Sequence, residues 1–189
     1  MKRFLVFVLI LMSCSCCFAS QEELSRQATA FYSDNNRVKT MDLILQINEN
    51  ERTGQDWLIL GNVLEDNGKI EDAVYMYQKA IAKDKKCYRA YYNLGNYYME
   101  RGQFQNAIEN YTKASKIKSE NPYIFYNLGC AYLKQNDLSR ARANFNKAIM
   151  YKSNVAEFHY NLAYVYKQLG KDKLAQTYLD NYNKLVSGL

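Results

Sequence analysis

Tyr92-Asn93-Leu94-Gly95 and Tyr126-Asn127-Leu128-Gly129 are the same four residues, 34 positions apart. The match widens in both directions. Gln55-Asp56-Trp57-Leu58-Ile59-Leu60-Gly61 aligns with Arg89-Ala90-Tyr91-Tyr92-Asn93-Leu94-Gly95, then with Tyr123-Ile124-Phe125-Tyr126-Asn127-Leu128-Gly129 and Glu157-Phe158-His159-Tyr160-Asn161-Leu162-Ala163. A second set keeps the same period: Ala73, Ala107, Ala141 and Ala175, then the rings Tyr77, Tyr111 and Phe145, then Ala80, Ala114 and Ala148. A fixed period of this length marks one supersecondary unit stacked on copies of itself. Four units fill the chain from residue 54: 54–87, 88–121, 122–155 and 156–189.

Each unit reads as two helices. The first carries an aromatic, a leucine three residues on, and Gly or Ala beside it; the second carries Ala, ring, Ala. Small side chains let helix backbones approach, and the rings fill the space alongside. Between the two stands Gly68, Gly102, Asn136 or Gly170, residues that tolerate the left-handed backbone of a helix end. Asn121-Pro122 supplies an N-cap and a first-turn proline. Residues 20–53 read as a degenerate hairpin, because Asn35-Asn36-Arg37-Val38 mimics Asn67-Gly68-Lys69-Ile70 two residues out of step. Its helices are predicted over 22–33 and 37–48, capping one end of the array.

This period and residue pattern resembles the tetratricopeptide repeat family over about seven-tenths of the chain. The resemblance implies an all-α, right-handed solenoid of helix-turn-helix units, whose first helices line a concave face that grips an extended or helical peptide. On that face it places Asn62, Tyr92, Asn93, Asn96, Tyr126, Asn127, Tyr160, Asn161 and Tyr164, with Cys130 in the same row as Asn62 and Asn96. Amides both donate and accept, so they can pair with a peptide backbone of any sequence, and tyrosines add apolar area at low entropic cost. The same asparagines could instead bond between neighbouring helices. Some members of the family clamp a C-terminal carboxylate with lysines and an arginine. Here the basic places hold Leu58, Tyr123 and Asn127, so an internal segment or a folded partner fits better. The last second helix departs from the pattern: Leu179 replaces the ring and Tyr182 the second Ala. Leu174, Tyr178, Leu185 and Val186 predict an apolar stripe there, read either as a self-capping helix or as a docking edge or homodimer seam.

Composition narrows the function. The chain has 189 residues, 48% apolar, with one proline and eighteen tyrosines, and a formal charge of +6. Basic residues on the second helices and loops read as a solvated outer face, or alternatively as an adhesive one for an anionic surface or nucleic acid. They are not interleaved with exposed aromatics as in nucleic-acid modules, so no nucleic-acid partner is expected, and membrane association is expected only through an N-terminal lipid. Residues 1–19 read as an export leader: Lys2 and Arg3, then the apolar run Phe4–Met12, too short to span a bilayer. Two processing sites compete. Cys17-Phe18-Ala19 suits a small-residue cleavage that leaves Ser20 first, whereas Leu11-Met12-Ser13-Cys14 resembles a bacterial lipobox, with Cys14 lipidated. Cys87 and Cys130 then remain in the body and read as free thiols.

No His/Cys set has metal-ligand spacing, no phosphate loop is present, and no cofactor is expected. Cys130 with His159, the only histidine, is the one conceivable nucleophile–base pair. The sequence therefore points to a non-catalytic protein- or peptide-binding scaffold of the bacterial cell envelope, periplasmic or lipid-anchored. The alternative is a soluble secreted or lumenal adaptor docking through its C-terminal helix.

Overall fold

The computed structural model describes residues 19–188; the leader with Cys14 lies outside them. The described residues form ten α-helices and one short 3-10 turn at Glu49–Glu51, with no strand among them. The helices are α1 Gln21–Ser33, α2 Arg37–Gln46, α3 Gly54–Asp66, α4 Ile70–Lys83, α5 Tyr88–Glu100, α6 Phe104–Ile117, α7 Pro122–Lys134, α8 Leu138–Tyr151, α9 Ala156–Gln168 and α10 Asp172–Ser187. From α3 onward both members of each pair start 34 residues after their predecessors.

Capping residues set the helix starts. Ser20, Asn36, Thr53, Asn121 and Asp137 each accept a backbone N–H from the first turn that follows, and Thr53 forms a full capping box with Asp56. A single device ends the first helices. Gly68, Gly102, Asn136 and Gly170 take φ between 59° and 74°, and two bonds wrap each end. In the first of them, Gly68 N–H donates to Glu65 O and Lys69 N–H to Leu64 O, both at 2.9 Å. Asn35, at φ 60°, closes the N-terminal hairpin in the same way. That hairpin is thus a full helical pair. Its second helix stops at Gln46 rather than 48, because Ile47 turns extended and buries its side chain.

Each second helix packs against its own first helix and the first helix of the next pair, giving an α-solenoid. Ala73, Ala107, Ala141 and Ala175 are buried at the seams, as are Ala80, Ala114 and Ala148. The rings of Tyr77, Tyr111 and Phe145 press on Gly61, Gly95 and Gly129, where an added Cβ would collide with ring carbons. In the last pair the ring is Leu179 and the glycine is Ala163, so both halves of the contact change together.

Candidate functional site

The asparagine rows of the first helices are cross-linked. Asn93 Nδ2 donates to Asn62 Oδ1 (2.9 Å), and Asn62 Nδ2 donates to Tyr32 Oη (3.0 Å). The Tyr77 hydroxyl donates to Glu65 Oε2 (2.6 Å) and stands 3.0 Å from Asn62 Oδ1. One unit on, Asn127 Nδ2 donates to Asn96 Oδ1 (3.1 Å) and to Tyr92 Oη (3.0 Å), while Tyr111 Oη donates to Asn96 Oδ1 (2.7 Å). The third copy abandons the triad in concert: Cys130 stands for the accepting amide and Phe145 for the ring hydroxyl. Asn161 Nδ2 then donates to Tyr126 Oη and to Glu157 O, both at 3.0 Å.

This divides the nine residues that the sequence placed on a binding face. Asn62 has both ends of its amide engaged inside the array, and Asn96 Oδ1 takes two bonds, so these two hold helices together. Asn93, Asn127 and Asn161 use their donors internally, but their Oδ1 atoms accept no hydrogen bond among the described residues. Tyr92 and Tyr126 are half-buried, tilted against Tyr111 and stacked on Phe158 respectively. Tyr160 and Tyr164 are open, at 51% and 48% exposure. What remains free is a row of acceptor oxygens leading to two exposed phenols.

Three hollows flank this row. One of 420 Å³ is lined by Tyr32, Asn62, Tyr88, Arg89, Tyr92 and Asn93 among others, and one of 400 Å³ by Cys130, Leu133, Lys134, Tyr160, Asn161 and Tyr164 among others. The third, 410 Å³, lies between α9 and α10 against Tyr160, Ala163, Tyr164, Lys167, Ala175 and Leu179. The predicted terminal stripe is corrected here. Leu174, Leu185 and Val186 are exposed, but Tyr178 packs inward, stacked on Tyr166 and close to His159. The sequence reading missed Tyr32, and it took Leu179 only as a replacement for the ring, although both line these hollows. The hydroxyl of Tyr32 could have been suspected only from the alignment of its hairpin with the later ones.

The thiol and the imidazole are not joined for chemistry. His159 Nε2 lies 2.7 Å from the Ser153 carbonyl, and Nδ1 is buried without a partner. Cys130 lies beside Tyr126, and burial pushes its thiol up to about 11, so it is not a thiolate near neutral pH. Burial likewise raises the Tyr126 phenol to about 12 and lifts those of Tyr77, Tyr92 and Tyr111. Both Cys87 and Cys130 are free. Among the described residues no cluster of His, Cys, Asp and Glu is placed to hold a metal ion.

Residues 7–143 match the family model described as the tetratricopeptide repeat protein 21 C-terminal ARM domain. Residues 130–170 match a TPR repeat model, and residues 156–185 match a tetratricopeptide repeat model. Among solved structures the chain is similar to MamA AMB-1, at 18% identity and a TM-score of 0.76, over 89% of this chain and 93% of that one. It is similar also to MamA 41-end from Desulfovibrio magneticus RS-1, at 15% identity and a TM-score of 0.76, over 91% and 98%. At such identities the likeness is one of fold. No curated protein matches as a relative.

Proposed function

The chain belongs to the tetratricopeptide repeat family, and we propose that it is a non-catalytic scaffold that holds a peptide or protein partner along its first helices. The carrying observation is the row of unpaired Oδ1 atoms on Asn93, Asn127 and Asn161, running to the exposed rings of Tyr160 and Tyr164. Such a row offers acceptors to the N–H groups of a bound backbone and apolar faces to its side chains. Replacing an asparagine would cut bonds between helices, so the better probe is Tyr160→Ala with Tyr164→Ala. Crosslinking and capture from intact cells should lose the partner in this double variant while helix content stays unchanged. Full retention would refute the first-helix reading.

The location we assign is the bacterial cell envelope. The leader at residues 1–19 supports export, and Cys14 supports a lipid tether. No helix among the described residues is long and apolar enough to cross a membrane. Labelled fatty acid should enter the wild-type chain and not Cys14→Ala; absence of label from both removes the tether.

A second reading, docking or dimerisation through the C-terminal pair, is favoured by one observation. The hollow between α9 and α10 is built from positions that, one unit earlier, are Tyr126, Gly129, Cys130, Leu133, Ala141 and Phe145. Several of those are the residues on which α9 itself packs. Light scattering at high concentration decides between the dimer and the monomer.

A further inference from the structure

Each second helix ends, and each first helix begins, along one edge of the solenoid. The segments of this edge in the three central junctions, 79–91, 113–125 and 147–159, hold ten basic residues against three acidic. The segments of the opposite edge, 62–78, 96–112 and 130–146, hold five basic against seven acidic. The N-terminal part of the same edge, residues 20–27 and 45–57, holds two basic against five acidic, so the asymmetry belongs to the central junctions of one edge and not to the net charge. Part of it is internally used. Lys79, Lys113 and Lys147 lie over the rings of Trp57, Tyr91 and Phe125. Lys79 also pairs with Glu49, Lys83 donates to Asn50 O, and Lys152 donates to Tyr123 Oη. Lys85, Lys86, Lys116 and Lys118 are exposed, and their ammonium groups have no partner among the described residues.

The start of the folded body lies on the same edge. Asn48 N–H donates to Gln21 Oε1 (2.7 Å), and the next two residues, Glu49 and Asn50, are those touched by Lys79 and Lys83. Ser20, the cap of α1, thus sits beside the lysine row. Five residues separate Cys14 from Ser20, a span of roughly 20 Å at full extension. A chain held at Cys14 is held close to this edge.

We propose that the edge carrying Lys85, Lys86, Lys116 and Lys118 lies against an anionic lipid surface and sets the orientation of the scaffold on it. Lysines within a Debye length of such a surface add binding individually, and a basic patch beside a lipid tether fixes which face of the body meets the surface. The proposal deepens the tethered reading above, but its basic edge acts whether or not Cys14 is acylated.

The test is flotation of the full chain and of Cys14→Ala with vesicles of phosphatidylcholine alone or mixed with phosphatidylglycerol. Both proteins should prefer the anionic vesicles by about tenfold or more at low ionic strength, and the preference should fall with salt. Changing Lys85, Lys86, Lys116 and Lys118 to Glu should abolish the preference. Changing Lys69, Lys134, Lys171 and Lys173 to Glu, on the opposite edge, should leave most of it. Equal binding to both vesicles overturns the proposal. So does an equal loss in the two quadruple variants, or an edge that captures nucleic acid or an acidic protein and ignores lipid charge. Failure of the tether reads differently: Cys14 takes no acyl label while the vesicle preference persists.

Discussion

Adding one methyl group at Gly129 would put a Cβ 2.6 Å from Phe145 Cε1, in the middle of a closed seam. The glycine is there because the ring is, and where the ring becomes Leu179 the glycine becomes Ala163. Gly129→Ala should therefore cost about 1–3 kcal/mol. In a Phe145→Leu background the same change should be neutral or stabilising, since alanine is the better helix former by about 1 kcal/mol. Urea denaturation of the four proteins of this cycle checks it, and additive costs would refute the pairing. The lysines that cap rings obey the same coupling. Lys79, Lys113 and Lys147 lie over Trp57, Tyr91 and Phe125, whereas the fourth column holds Asn181 opposite His159.

The junction between the N-terminal hairpin and α3 turns on a buried carboxylate. Asp56 accepts from Ser25 Oγ (2.6 Å), Thr53 N (2.8 Å) and Thr53 Oγ1 (2.7 Å), while its column elsewhere holds Ala90, Ile124 and Phe158. Asp56→Ala would remove the reciprocal half of the capping box and leave the Ser25 hydroxyl unpaired at the seam. It should cost about 2 kcal/mol. Trp57, the single tryptophan, is buried at the same junction and reports the loss by fluorescence. Should the hairpin be an ornament and not a packed unit, Trp57 emission would stay unchanged. The period was legible from residues alone because Ala, ring, Ala and the αL turn positions recur at fixed spacing, and each has one steric reason to do so. The carboxylate clamp was not legible. Asp56 sits within an apolar column, and Ser25, its long-range partner, belongs to a hairpin two residues out of register. The direction of the amides was equally hidden: an asparagine that binds a ligand and one that cross-links helices are the same letter, and only the positions of Tyr32, Tyr92 and Tyr126 distinguish them.

A set of buried phenols and thiols along the array holds its protons more tightly in the folded chain than in the unfolded one. The phenols of Tyr77, Tyr92, Tyr111 and Tyr126 are raised from 10.0, first by burial, and for Tyr77 also by the Glu65 carboxylate. Cys130 is raised from 9.0 to about 11, and Cys87 is raised too, by burial. Because the folded values lie above the unfolded ones, the stability linked to these protons is complete below about pH 9. It is lost as the pH climbs from there through the folded values, since the unfolded chain then sheds protons that the folded chain retains. The urea midpoint should accordingly be flat from about pH 7 to 8.5 and drop steeply between about pH 10 and 12. Phenolate absorbance from Tyr77, Tyr92, Tyr111 and Tyr126 should appear only together with the loss of helix. Tyr111→Phe imitates Phe145 in its own seam and removes one retained proton, so its alkaline midpoint should move upward relative to its midpoint at neutral pH. If these four phenols instead ionise with the helices intact, the interior of the solenoid is wet, and the cross-links at Asn62 and Asn96 do not organise it.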